Sequence, residues 1–245
     1  MASKPRNPYP FVPRRLLRWI MPTLHYRRHV GRHEDGSMRL WRIFARRVSF
    51  SKAILDIGAF RGEYALAARE VNAFAQVYAF EPNPHSLEGL LAACAGKNVS
   101  VITEAVSDQN GTVAFLCSSA QSRIGDTTAV ESHGEVCKVP AVTLETWVCE
   151  QTVAPSLIKI DVEGAEAGIL RGARKVLEDF QPIILCEVLT DSAGDQVRTA
   201  LPPIYSFWHI DENNGVTERD RITRRLWRNK NWLFVPDARR AEMVA

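Results

Sequence analysis

The chain has 245 residues, 46% of them hydrophobic, with 14 Gly and 13 Pro. That is enough apolar side chain for one sizeable core, and it excludes a fibrous or wholly disordered chain. The formal charge of +3 hides an asymmetry: residues 1–52 carry thirteen Lys/Arg against two acids, and the remainder is acidic.

Residues 1–36 read as a basic arm, whose four prolines within residues 1–13 predict a disordered tip. From Ser37, read as an N-cap, Leu40, Trp41, Ile43, Phe44 and Val48 have helical spacing and predict a helix docked on the body that follows. A buried strand over 53–57 then runs into Asp56-x-Gly58-x-x-x-Gly62, with a helix after Tyr64. A second strand over 76–80 ends at Glu81, before Pro82-Asn83-Pro84. An acid about 20 residues past the glycines is what ribose hydroxyls require.

The glycine spacing separates cofactor classes. Gly-x-Gly-x-x-Gly would aim a helix at a pyrophosphate, and a phosphate loop needs Gly-Lys-Ser/Thr; neither is present. An acid at the strand end repels pyrophosphate and suits a cofactor bearing an amino group and a sulfonium, which points to S-adenosylmethionine.

Further strands are predicted near 99–104, 157–161, 182–187, 204–210 and 231–235, with helices between most of the first five. This alternation predicts a parallel, doubly wound α/β sheet. Residues 112–117 and 135–139 read as an added hairpin around the small, polar segment Ser118 to Gly134, a candidate substrate lid. Residues 37–236 are expected to form one domain with this insertion around 112–139, followed by a tail over 237–245.

Ligands in such a sheet sit beyond the carboxyl ends of the strands, where Asp56, Glu81, Asp161 and Glu187 fall. Read singly, each is an ordinary turn or capping acid; four at equivalent ends suggest a site. Asp161, Glu163, Glu166 and Glu187 are the candidate bases for a hydroxyl acceptor. Asp161, Glu163 and Glu166 could also offer hard oxygens to Mg²⁺ or Ca²⁺, but acids at a helix start complement its dipole, and no metal is assigned. The five cysteines lack zinc spacing and read as buried thiols of a reducing cytosol. His133 and His209 are outside candidates on the substrate side, and His85 is read as a capping or surface residue.

The strings Leu55-Asp56-Ile57-Gly58-Ala59, Ala79-Phe80-Glu81-Pro82-Asn83-Pro84, Glu104-Ala105-Val106-Ser107-Asp108, Val142-Thr143-Leu144-Glu145, Ile158-Lys159-Ile160-Asp161-Val162-Glu163-Gly164-Ala165-Glu166 and Asn231-Trp232-Leu233-Phe234-Val235-Pro236 resemble the FkbM family of class I methyltransferases, over about Ala53 to Pro236. The resemblance implies a Rossmann-like, mostly parallel seven-stranded sheet with an antiparallel edge and helices on both faces. It also implies an S-adenosylmethionine-dependent O-methyltransferase acting on sugar hydroxyls or polyketide-type alcohols. Its cofactor residues would be Asp56, Gly58, Ala59, Gly62, Tyr64, Glu81, Pro82, Ser107, Asp108 and Asp161, with Asp108 as acceptor for the adenine amino group. Phe60-Arg61 departs from the small residues usual in that turn.

The Ser- and Thr-rich lid and the carboxylates favour a sugar or glycan hydroxyl as acceptor. A nicotinamide-dependent oxidoreductase shares the fold but lacks its glycine pattern here. A non-enzymatic module would use the basic arm on an anionic membrane or a nucleic acid, and for the latter the sequence shows neither aromatic interleaving nor a recognition module. The expected location is the cytoplasm, with the inner membrane surface as the arm's alternative contact.

Overall fold

The structure, a computed structural model, describes residues 35–117, 123–124, 135–211, 215–223 and 230–243. The chain divides between Asp35 and Gly36. The expectations for the basic arm, for His133 and for most of the lid segment lie outside the described residues.

In chain order come α1 (Gly36–Arg47), β1 (Ala53–Ile57), α2 (Glu63–Val71), β2 (Gln76–Phe80), α3 (Pro84–Cys94) and β3 (Ser100–Ile102). Strands β4 (Ala105–Ser107), β5 (Gly111–Cys117), β6 (Arg123–Ile124) and β7 (Glu135–Thr143) follow. Then come α4 (Leu144–Gln151), β8 (Pro155–Ile160), α5 (Glu166–Arg171), α6 (Arg174–Phe180), β9 (Ile183–Glu187) and α7 (Asp191–Ala200). Strands β10 (Tyr205–Asp211), β11 (Gly215–Arg219) and β12 (Asn231–Pro236) precede a short 3₁₀ helix (Asp237–Met243).

The main sheet has the order β11-β10-β12-β9-β8-β1-β2-β3. Strands β3, β2, β1, β8 and β9 are mutually parallel; β12 enters antiparallel to β9, and β10 antiparallel to β12. Among the described residues the sheet therefore has eight strands rather than seven. The extra one, β11, forms an antiparallel pair with β10, and most of its residues are exposed, so it carries no apolar alternation by which to read it.

Both faces are covered, and so β1 and β9 are buried at every position. Leu55, Ile57, Ile158, Ile160, Ile184 and Phe234 pack with the side that holds α4, α5, α6 and α7. Ile54, Val77, Leu157, Leu185 and Val235 pack with α1, α2 and α3 on the other side. Period-two alternation along β1 and β8 thus turns Asp56 and Lys159 toward α2, and the register sets them side by side.

Helix α1 docks as its spacing predicts: Trp41, Phe44 and Ala45 are buried, and Trp41 Nε1 donates to Tyr64 O at 2.8 Å. Asn72 holds its C-terminal end, with Nδ2 donating to the carbonyls of Ala45 and Val48 at 2.8 and 2.7 Å. The helix starts at Gly36, so Ser37 is not its N-cap; the buried Ser37 hydroxyl accepts from Asn231 Nδ2 instead, at 2.8 Å.

The third strand is shorter than expected. It ends at Ile102, and after two residues the chain enters a second sheet of order β4-β7-β5-β6. The expected hairpin is present there, pairing β5 with β7 from Gly111↔Ala141 to Cys117↔Glu135 around the core residues Val113, Phe115 and Val139. Cys117 and Cys137 are joined as a disulfide across it, their Cα atoms 6.4 Å apart. Cys94 and Cys186 are buried thiols, whereas Cys149 is exposed. The reading of five buried thiols is thereby corrected: pairing sets Cys137 opposite Phe115, two residues from Cys117 on the same face, a proximity that 20 residues of chain conceal. Among the described residues no helix is long and apolar enough to cross a membrane.

Candidate active site

Strand β1 must pass into α2 within five residues, and it does so through left-handed backbone at Gly58 (φ 77°), Phe60 (φ 50°) and Gly62 (φ 81°). The amides of Gly58 and Ala59 both donate to Phe80 O, at 3.0 and 2.9 Å, tying the turn to the end of β2. Phe60 takes the left-handed region without being glycine; its ring is partly exposed at the cavity, with the Arg61 guanidinium 5.1 Å from the ring centroid.

Glu81 reaches back to the turn. One carboxylate oxygen accepts from Phe60 N at 2.7 Å and the other from Asn83 N at 2.9 Å. Burial pushes its pKa up, and the two amides oppose that shift. Asp56 is fully buried behind the turn, where Oδ2 accepts from Ala65 N at 2.9 Å and Oδ1 faces Lys159 Nζ at 3.4 Å. Burial raises the Asp56 pKa and the lysine counters it.

A cavity of about 230 Å³ opens at the carboxyl ends of β1, β2, β3 and β8, with Phe115 of the second sheet as a further wall. Of the residues singled out in the sequence, Gly58, Glu81, Pro82, Asp161 and Glu163 line it. Ala59, Gly62 and Tyr64 build the turn and the first turn of α2, and Asp56 supports them from behind. Ser107 and Asp108 do not line it: Ser107 is buried at the end of β4, and Asp108 pairs with Arg171 at 3.1 Å on the surface. Glu104, with Ala105 and Val106, stands in the wall where Asp108 was expected.

The acidic end is built by β8 and β9. Asp161 N donates to Ile57 O at 3.1 Å, fixing the loop after β8 against β1. Glu163 (φ 56°) and Gly164 (φ 112°) turn that loop, and the buried Glu166 folds onto it, accepting from Gly164 N at 2.9 Å. Glu166 therefore faces its own loop. Glu187 takes its place in the acid group: Asp161, Glu163 and Glu187 each offer an oxygen within 4.8 Å of the others. Glu187 is buried and ion-paired through Oε1 with Lys230, and its pKa is pushed up to about 7 by burial and then by the charge of Asp161. Two ammonium groups face this group, Lys230 on Glu187 and Lys159 at 3.6 Å from Asp161, and Lys159 is shared with the buried Asp56.

Lys159 and Lys230 were not foreseen as site residues, nor was Phe115. Lys159 lay inside a motif noted as a whole, and its partners Asp56 and Gly58 are about a hundred positions away. His209 is buried against Trp232, centroids 4.9 Å apart, and neither it nor the exposed His85 lines the cavity.

Residues 56–214 match the methyltransferase FkbM domain. The chain belongs to that family. None of the curated proteins matches the sequence. Among solved structures it is similar to a methyltransferase FkbM of Methylobacillus flagellatus KT, with 19% identity and a TM-score of 0.52, covering 77% of this chain and 44% of that one. The chain thus spans less than half the length of that relative. Weaker likenesses are an O-methyltransferase of Bacillus cereus in complex with S-adenosylhomocysteine (10% identity, TM-score 0.46, 93% of each chain) and an Aeropyrum pernix fibrillarin with bound S-adenosylmethionine (11% identity, TM-score 0.45, 82% of this chain and 76% of that one). The strand order of this FkbM chain, with antiparallel β12 between β9 and β10, agrees with the class I fold that the motifs implied.

The residues present fit S-adenosylmethionine, the family's cofactor. Each Glu81 oxygen is occupied by one amide and keeps acceptor capacity at the cavity wall, as two ribose hydroxyls require. The turn at Gly58 brings backbone without a side chain to the same cavity.

Proposed function

We propose that this FkbM chain is an S-adenosylmethionine-dependent O-methyltransferase whose acceptor is a hydroxyl of a sugar, glycan or glycolipid. The observation that carries the reading is one cavity with Glu81 and the glycine turn on one wall and Asp161 and Glu163 on another. When bound, the cofactor supplies a methyl group on a positively charged sulfur, open to displacement by an oxygen nucleophile.

The chain's own residues account for binding, orientation and proton removal. Glu81 would hold the ribose hydroxyls, Gly58 would admit the methionine part, and Glu104, rather than Asp108, would accept from the adenine amino group. Asp161 and Glu163 can orient a polyhydroxylated ring by accepting its hydroxyl protons. Asp161 is the base at the cavity, and Glu187, within 4.8 Å and poised near pH 7, shares the proton it takes up. The same acids disfavour a phosphate-bearing acceptor by like-charge repulsion, which supports a neutral polyol.

The test is titration of S-adenosylhomocysteine and NADH into wild type and Glu81→Ala at two salt concentrations. The expected result is salt-insensitive binding of the former, weakened at least about 30-fold in the variant, and none of NADH. A labelled methyl donor then screens sugars against polyketide-type alcohols. Methylation of the alcohols alone would overturn the sugar assignment.

A further inference from the structure

Strand β8 carries a charge in the middle of an apolar face. Leu157 packs into the core beneath α2 and α3, and Lys159, two residues on, has the same orientation and is only 5% exposed. A buried ammonium requires an acceptor for each of its three protons. Lys159 Nζ donates one hydrogen bond, to Gly58 O at 2.8 Å, and forms ion pairs with Asp56 Oδ1 at 3.4 Å and Asp161 Oδ2 at 3.6 Å. The Tyr64 ring covers it from α2, with its centroid 5.1 Å from Nζ.

These contacts divide into two kinds. Asp56 lies behind the turn and does not reach the cavity, so the Asp56–Lys159 pair on its own would be a buried counter-ion pair, replaceable by an apolar pair. Gly58 and Asp161 both line the cavity, and they belong to loops from different strands. Lys159 is a single cationic head between them. It fixes the direction of the Gly58 carbonyl, whose own peptide continues to the Ala59 amide held by Phe80 O. It also draws the Asp161 carboxylate toward β1.

We infer that Lys159 is a positioning residue for the cofactor, fastening the glycine turn to the end of β8 and setting the Asp161 carboxylate at the cavity edge. The inference rests on the reading that an S-adenosyl cofactor occupies this cavity. The lysine acts through Gly58 and Asp161 and not by touching the reacting atoms.

The experiment titrates S-adenosylhomocysteine into the full chain as wild type, Lys159→Met and the double variant Asp56→Asn/Lys159→Met, with urea unfolding of each. Lys159→Met should lose stability and weaken binding about tenfold or more. The double variant, which no longer buries a lone carboxylate, should recover the unfolding midpoint while binding stays weak. Recovery of both in the double variant would show a plain counter-ion and overturn the inference, as would wild-type affinity in Lys159→Met. Wild type itself gives a second readout that needs no variant: a slowly exchanging lysine ammonium ¹⁵N signal that shifts on saturation with S-adenosylhomocysteine. Its failure to shift at saturation counts against the inference in the same way. A folded wild type that binds no S-adenosylhomocysteine overturns the cofactor reading, and this inference with it.

Discussion

Gly58 and Asp161 pack so closely that a Cβ on the glycine would overlap the aspartate's carbonyl oxygen. The backbone of the turn after β1 and that of the loop after β8 are therefore matched with no room for a methyl group, and the φ of +77° at Gly58 adds strain for any L residue. Gly58→Ala is expected to cost roughly 3 to 5 kcal/mol and to abolish S-adenosylhomocysteine binding. Gly96→Ala is the control, since Gly96 shares a left-handed φ of +68° but has open space around it. It should cost only about 1 to 2 kcal/mol, and binding should persist. Urea unfolding and titration of both variants test the pair; equal losses would mean that backbone strain alone explains Gly58.

What was legible in the sequence follows from where each element sits. Strands β1, β2, β8 and β9 announced themselves because central parallel strands are apolar on both faces. Glu81 was legible because its distance from the glycines is fixed by one helix and one strand. Strand β11 was not, since an exposed edge strand reads like a polar loop. Asp108 was assigned to the adenine amino group through the resemblance alone, and the position of Glu104 became visible only because β3 stops at Ile102 and leaves it at the rim. Lys159 could have been found by asking what pairs with the charge of Asp56 on a neighbouring buried strand, since their register sets them side by side. Lys230 offered no such clue, because its partner Glu187 is reached only once β12 lies antiparallel to β9.

Glu187 should make both stability and activity depend on pH, in opposite senses. Its folded pKa is about 7 against an ordinary 4.5, so between those values the folded chain keeps a proton that the unfolded chain has released. Stability should therefore fall as pH rises through that window, while the fraction of Glu187 that is ionised and able to share the proton taken up by Asp161, and with it methyl transfer, should rise toward and past pH 7. Glu187→Gln should flatten the stability slope and slow transfer; Lys230, whose side chain is 38% exposed, can return to solvent without its partner. Urea unfolding at about pH 5 and pH 8 reads the slope, and an unchanged slope in the variant would assign it to another group.

Glu104 and Asp108 offer a direct contest for the adenine amino group. Asp108 is paired with Arg171 at 3.1 Å, and their side chains are 43% and 56% exposed, so solvent screens the pair and its removal should cost no more than about 1 kcal/mol. Glu104 lines the cavity beside Ala105 and Val106, at the end of β3 next to the wall that carries Glu81. Asp108→Ala should thus leave S-adenosylhomocysteine affinity unchanged, whereas Glu104→Gln should lower it about tenfold, the cost of replacing a charge-assisted bond by a neutral one. The inosine analogue, which carries an oxo group in place of the amino group, separates this bond from general loosening. Wild type should reject it, because a carboxylate facing an oxo group has no proton to accept, and Glu104→Gln should narrow the gap by offering an amide donor. Equal discrimination by wild type and Glu104→Gln, together with its loss in Asp108→Ala, would return the role to Asp108.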